Sequence, residues 1–294
     1  VATSAMLVGA LTGCTSESSP RKVPDGLPDK NRDRYVLPLD RYSMQQVDVP
    51  SIARELVVKR CLLDKGWPWA ASAATLGATT GPSYSSIGKR IFTLPLAEKY
   101  GYGTSDLLDL PVAVLQNEHE DYQRNLHVSP RAEPDMELCW SEANEVVGIP
   151  KGDRDFSLVE GLTNDAYKKA SERKEVIAAT EQWRSCLAPV GVPDLEKSPE
   201  DMPPDSLESD EPAIDPPATF GGDVPTSEER RVAVADAKSR ESSGYARAIY
   251  QAEWDEQVTA LGENADALDR YDKQMQKMNR KALTVIAEYA PRAE

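Results

Sequence analysis

The C-terminal third carries one apolar stripe: Trp254, Val258, Leu261, Ala265, Leu268, Tyr271, Met275, Met278, Ala282 and Val285. Its spacings are 4, 3, 4, 3, 3, 4, 3, 4 and 3, and only an α-helix returns to one face at that interval, since a strand does so every second residue. The heptad has one stammer, between Leu268 and Tyr271. A stripe this long needs cover. The expected cover is the rest of its own chain; the alternative is a second copy, giving a homodimeric coiled coil through the 250–286 helix.

The same periodicity recurs upstream. After Pro50, preorganised for a first helical turn, Ala53, Leu56, Val57, Arg60, Cys61 and Leu63 follow at helical spacing, and Gly66 ends the run before Trp67-Pro68-Trp69. A helix is expected from Pro134 to Val147, with Met136, Cys139, Trp140, Ala143 and Val147 on one face. Residues 156–187 make one long helix or two shorter ones, striped by Val176, Ala179, Trp183, Cys186 and Leu187. Ala70 to Ser86 reads as loop, Gly88 to Tyr102 as a segment interrupted by Pro95, and Leu107 to Asn125 as a shorter segment. Thr226-Ser227-Glu228-Glu229 fits a capping box opening a helix to about Glu241, which Ser242-Ser243-Gly244 breaks. With aromatic content at 6% and no period-two segments, the expected fold class is all-α. It is an irregular helical domain over 47–190, with a long C-terminal helical hairpin or coiled-coil-like helix in 226–294 packing back on it.

Between these parts lies 191–225. From Pro193 to Pro225 it holds eight prolines and ten Asp or Glu against one Lys, Lys197, and it reads as a disordered or extended connector, too polar to offset the entropy of ordering. The whole chain has a formal net charge of −15, which argues against nucleic acid as a partner and against a polybasic grip on anionic lipid. No run approaches the roughly 20 apolar residues that a membrane-spanning helix needs.

The apolar stretch Ala5 to Leu11 suits the hydrophobic region of a signal peptide. It runs into Leu11-Thr12-Gly13-Cys14, which resembles the lipobox of bacterial lipoprotein signals. That resemblance implies that residues 1–13 are cleaved off and that the Cys14 thiol carries diacylglycerol, with residues 14–46 as tether and extended segment. Residues 1–13 carry no charge, whereas such signals open on Lys or Arg; Val1 at the start implies either missing upstream residues or a GTG start codon read literally, and basic residues upstream would strengthen the resemblance. The implied location is the outer face of the cytoplasmic membrane, lipid-anchored, in a disulfide-permissive setting.

With Cys14 assigned to lipid, Cys61, Cys139 and Cys186 remain, and three cannot all pair. Cys139 and Cys186 form the expected disulfide, because each shares an apolar stripe with a Trp and consecutive antiparallel helices would bring them together; the alternative is that both are reduced core residues. Cys61 is then the unpaired thiol.

Several short segments in order resemble a family of actinobacterial secreted lipoproteins that has no established biochemical activity. They are Arg60-Cys61-Leu62 with Gly66-Trp67, Tyr100-Gly101-Tyr102, Cys139-Trp140-Ser141-Glu142-Ala143, Trp183-Arg184-Ser185-Cys186-Leu187, and Pro225-Thr226-Ser227-Glu228-Glu229 running to Arg240. The resemblance covers about residues 35–290, apart from the connector. Members usually carry Cys where this chain has Ser239, which implies a second disulfide to Cys61 that this chain has lost. Ser239 shares a stripe with Val232 and Ala235 and should face inward.

No catalytic pattern emerges. His119-Glu120 begins like the zinc motif HExxH, but Gln123 stands where its second His belongs, and His127 lies eight residues on, so no metal is expected. Glu118, His119, Glu120 and Asp121 read as a solvated face. No GxSxG elbow occurs, and Gly77 to Gly88 lacks the P-loop pattern because Gly88-Lys89 is followed by Arg90. No cofactor is expected. Trp67, Trp69, Tyr100 and Tyr102 are the candidate ligand contacts: exposed, they would stack on envelope glycans, and buried, they would plug helix ends. The reading favoured is a non-enzymatic, lipid-anchored envelope protein presenting a helical surface to a protein or glycan partner. A glycan or small-ligand binder using these Trp and Tyr loops is the rival, and an unrecognised hydrolase comes third.

Overall fold

The computed structural model describes residues 26–43, 48–70, 92–102, 112–149, 157–207 and 225–289. Among them are nine α-helices: α1 (Asp40–Ser43), α2 (Asp48–Asp64), α3 (Leu94–Tyr100), α4 (Val112–Val147), α5 (Ser157–Ser171), α6 (Lys174–Leu187), α7 (Ser227–Ser242), α8 (Tyr245–Glu263) and α9 (Ala265–Tyr289). The described residues contain no β-strand, only one isolated bridge between Asn31 and Val36, so the fold is all-α.

The helices sort into two bundles. In the first, α9 lays its stripe against α2, with α4 packed on both. Leu268, Tyr271, Met275, Met278, Ala282 and Val285 are all buried there, the Leu, Met and Val side chains each contributing about 1.5–3 kcal/mol relative to exposure. The chain covers its own stripe. In the second, α5, α6 and α7 surround α8 around Trp183, Leu187, Met202, Tyr245 and Ile249.

The stripe does not run along one helix, as the spacing led one to expect. It divides at Asn264, whose φ of −116° ends α8 while its carbonyl accepts from Leu268 N–H at 2.9 Å. The sequence there is Gly262-Glu263-Asn264, and Gly and Asn are poor helix formers. Above the break α8 serves the second bundle; below it α9 serves the first. Conversely, α4 is longer than expected. It runs through Pro130 and Pro134, and Pro134 does not begin it. An interior proline costs about 3 kcal/mol in an isolated helix. Here Val128, Ala132, Cys139, Ala143 and Val147, all buried, hold both sides of the prolines against neighbours. Pro95 does not interrupt its segment either, because it stands in the first turn of α3, where its missing N–H is harmless.

Other boundaries follow the local signals. Gly66, at φ +85°, ends α2 with Trp67 N–H bonded back to the Leu62 carbonyl at 2.8 Å. Residues 157–187 form two helices, joined at Arg173. Its guanidinium reaches Glu256 of α8 at 2.6 Å, and burial, which opposes the charge, is outweighed by that carboxylate, so its pKa is raised. Thr226 Oγ1 accepts from Glu229 N–H at 3.0 Å, the first half of the capping box.

The connector needs correcting over its first half. Residues 191–207 are ordered, with short 3-10 turns at Pro199–Asp201 and Asp205–Leu207, and Pro199, Met202 and Pro204 are buried. Met202 packs into the second core, and Arg240 of α7 donates to the Pro199 carbonyl. The apolar residues scattered among the acids suffice because α7 supplies a surface for them.

Before α2, residues 26–39 cross α8 as a strap. Tyr250 Oη accepts from Asn31 N–H at 3.0 Å and donates to the Val36 carbonyl at 2.9 Å. Tyr35 Oη donates to buried Glu253 at 3.1 Å, and Leu39 N–H to buried Gln257 at 2.9 Å. Leu37 and Leu39, at its end, are buried. Cys14 and the signal-like residues 1–13 lie outside the described residues, as does 71–91. Among the described residues, no helix is long and apolar enough to cross a membrane.

Candidate functional site

A disulfide joins Cys61 to Cys139, with Cα atoms 5.7 Å apart, and among the described residues Cys186 is the free thiol. The expected Cys139–Cys186 pair is therefore overturned, and Cys61 is not the unpaired thiol. The premise that failed was adjacency. The Cys139 face of α4 lies antiparallel on α2, with Trp67 and Lys65 meeting Asp135 just beyond the bond, whereas α6 packs on α7 and α8. Ser239 does face inward, as its stripe implied, but into the second bundle, while Cys61 is already paired in the first.

The four candidate aromatic residues are engaged internally. Trp67 packs on the first core and its indole N–H donates to Asp135 at 2.9 Å; that bond, then the Lys65 ammonium, lowers the Asp135 pKa. Trp69 donates to Glu55 at 3.3 Å, where burial raises the carboxyl pKa against the pull of that bond. Tyr100 is buried. Tyr102 N–H donates to Glu229 Oε1 at 2.9 Å, which uses the carboxylate that a complete capping box would turn back on Thr226. The glycine between them is required. Gly101 sits at φ +60°, and a Cβ there would lie 2.5 Å from Glu229 Oε1 and 2.7 Å from Pro225 Cβ. Thus Tyr100-Gly101-Tyr102 docks α3 onto the start of α7.

That docking leads to a buried polar knot. Asp236 of α7 takes the Trp183 indole N–H at 2.8 Å, Arg240 Nε at 2.9 Å, the Arg240 terminal nitrogen at 2.8 Å and the Tyr102 hydroxyl at 3.3 Å. The side chains of Arg240 and Asp236 are 3% and 0% exposed. Burial opposes the Arg240 charge, yet the Asp236 carboxylate holds its pKa up. Burial, then Asp236, raises the Tyr102 pKa, so that phenol stays protonated. The Arg240 guanidinium also lies over the Phe92 ring, 4.7 Å from its centroid.

Next to the knot, a groove of about 400 Å³ opens between α5, α6 and the Pro199–Asp201 turn. Its walls include Tyr167 from α5, Val176, Ile177 and Glu181 from α6, Glu200 and Asp201 from the turn, and Tyr245 from α8. Three of the lining residues are carboxylates and none is Lys or Arg. The Tyr245 hydroxyl donates to Glu200 Oε1 at 3.1 Å; burial, followed by the Glu200 and Tyr167 charges, raises its pKa and keeps it a donor. A second depression of about 410 Å³ lies between α1 and the Asn264 break, lined by Arg41, Tyr42, Asp269 and Asp272 among others. Its charges are mixed, and Asp269 is paired with Lys273 at 2.6 Å.

His127 is exposed on α4, and the side chains of Glu118, His119, Glu120 and Asp121 lie outside the described residues, as does Gly77 to Gly88. Among the described residues, no three His, Cys, Asp or Glu side chains are grouped to hold a metal ion. No family model, curated protein or solved structure matches the chain.

Sequence reasoning missed both the knot and the groove. One signal for the knot was present: Asp236 and Arg240 stand at i and i+4 among Val232, Ala233 and Ala237, an ion pair set on an apolar face. The groove had none, since its walls come from four separate segments.

Proposed function

We propose that this protein is a lipid-anchored, extracytoplasmic envelope protein that presents a helical surface to another macromolecule, without catalysing a reaction. The observation that carries the reading is the Cys61–Cys139 bond: a disulfide between two core-packed helices is the mark of an oxidising compartment. It agrees with Leu11-Thr12-Gly13-Cys14 as an acylation signal. The internal engagement of Trp67, Trp69, Tyr100 and Tyr102 favours this reading over a glycan site built from those four residues. The test is metabolic labelling with a palmitate analogue in an actinobacterial host, using the full reading frame. Label in the membrane fraction that disappears in Cys14→Ala is the expected result; unlabelled protein in the cytosol refutes it. Pulldown from intact envelope, compared with binding to purified cell-wall material, then separates a protein partner from a glycan.

A further inference from the structure

We propose that thiol exchange at the Cys61–Cys139 bond passes through Cys61 Sγ alone, and that Glu142 holds anionic thiolates away from that atom. Access is the first argument. Cys139 is fully buried within the first core, whereas Cys61 is half-buried and packs against it from outside. A thiolate attacks in line with the sulfur–sulfur bond, and access decides which sulfur it meets. Only Cys61 Sγ can be reached. Charge is the second argument. Glu142, exposed on α4, places Oε2 3.6 Å from Cys61 Sγ. The basic residues nearest Cys61 in the chain are already matched: Arg60 pairs with Asp64 and Lys65 with Asp135, each at 3.2 Å. Glu142 has no basic partner among the described residues, so an arriving thiolate meets a carboxylate that no cation offsets.

The course of the exchange adds a third barrier. The attacking sulfur bonds to Cys61 Sγ, the electron pair of the broken bond passes to Cys139 Sγ, and Cys139 leaves as a thiolate. It leaves into an apolar core, where an anion without a partner is costly. Cys139 then stands beside the mixed disulfide, the two Cα atoms having been 5.7 Å apart, and can close the bond again. Reduction is completed only when the second thiolate of a dithiol attacks the sulfur already bound to Cys61. Both cysteines are then thiols, and the dithiol has become a disulfide. A neutral nucleophile meets the opposite field. A phosphine becomes positively charged as it attacks, and the Glu142 carboxylate favours that charge instead of opposing it. The bond is therefore selective by charge, closed to thiolates more than its exposure alone would make it.

The test is the second-order rate at which the folded full chain is reduced, read by alkylating the released thiols and counting them by mass spectrometry. Two reductants are compared: dithiothreitol, which attacks as a thiolate, and tris(3-hydroxypropyl)phosphine, which attacks uncharged. Glu142→Gln should speed reduction by dithiothreitol about three- to fivefold at low salt and should not speed reduction by the phosphine. The gain should shrink toward none in about 1 M sodium chloride. Glu137→Gln removes an exposed carboxylate two residues from Cys139, on the opposite side of α4, and should leave both rates as they are. Unchanged melting temperatures confirm that both variants fold. An unchanged rate in Glu142→Gln, or equal acceleration with both reductants, overturns the proposal, the latter because Glu142 would then cover the bond only by its bulk. An equal effect in Glu137→Gln overturns it in favour of net charge. A rate independent of dithiothreitol concentration overturns it too, since the bond would then open only on unfolding.

Discussion

Replacing Asp236 by Asn changes one oxygen to nitrogen in a side chain with no exposure, and its effect follows from what remains. The amide oxygen still accepts the Trp183 indole N–H, now at 2.8 Å, so that bond survives. The Arg240 guanidinium does not fare as well. It stays buried, keeps at most the Nε bond to the remaining oxygen, loses the bond to Oδ2, and becomes a buried charge without its carboxylate partner. Breaking a buried pair from one side costs about 3–5 kcal/mol. Arg240→Met alone leaves Asp236 with only the Trp183 and Tyr102 donors and should cost a similar amount, about 3–5 kcal/mol. In the double variant neither charge is present, the Trp183 bond is kept, and Met packs where the guanidinium lay over Phe92; its cost should be about 2 kcal/mol or less. The double variant is therefore more stable than either single one. Urea unfolding of all four proteins, disulfide intact, followed by far-ultraviolet circular dichroism, measures this. Additive losses, with the double variant the least stable, would refute the coupling and with it the account of how α7 is seated.

Two further outcomes follow from the geometry. Without reduction, alkylation should find Cys186 reactive and Cys61 and Cys139 protected; Cys61→Ser or Cys139→Ser should lower stability, up to about 4.5 kcal/mol for a loop of 78 residues on the chain-entropy relation. A reactive Cys61 beside a blocked Cys186 is the contrary result. Asp135 is held below the usual aspartate value of 3.8 by Trp67 and Lys65, so it adds stability above that value and loses it as pH falls through its own lower pKa. Urea midpoints of Asp135→Asn and the parent should therefore differ near neutrality and converge once the pH has fallen through that lowered pKa; a gap that widens with acid contradicts the assignment.

How much of this was legible in the sequence depends on whether a feature is local. The α9 stripe was readable because periodicity records which face is buried, and Leu268 to Val285 are buried as spaced. The α2 end at Gly66, the Thr226 cap and the break at Gly244 were readable for the same reason, each resting on a few neighbouring residues. The disulfide was not, because Cys61, Cys139 and Cys186 all lie on stripes, and only the packing of α2 on α4 decides between them. The ordering of 191–207 also escaped local reading: Pro199 and Met202 are poor core-formers until Arg240 and the second bundle give them a surface.

The strap has a consequence for the order in which this chain can be completed. Its partners Glu253 and Gln257 lie 218 residues downstream, and α2 and α4 wait in the same way for α9. A chain emerging N-terminus first presents Tyr35, Leu37 and Leu39 long before anything exists to receive them, and contacts this distant in sequence form slowly. Neither bundle can close until the last third has emerged. Both bundles therefore stay incomplete until α8 and α9 arrive, and the apolar faces that wait for them are exposed to proteolysis meanwhile.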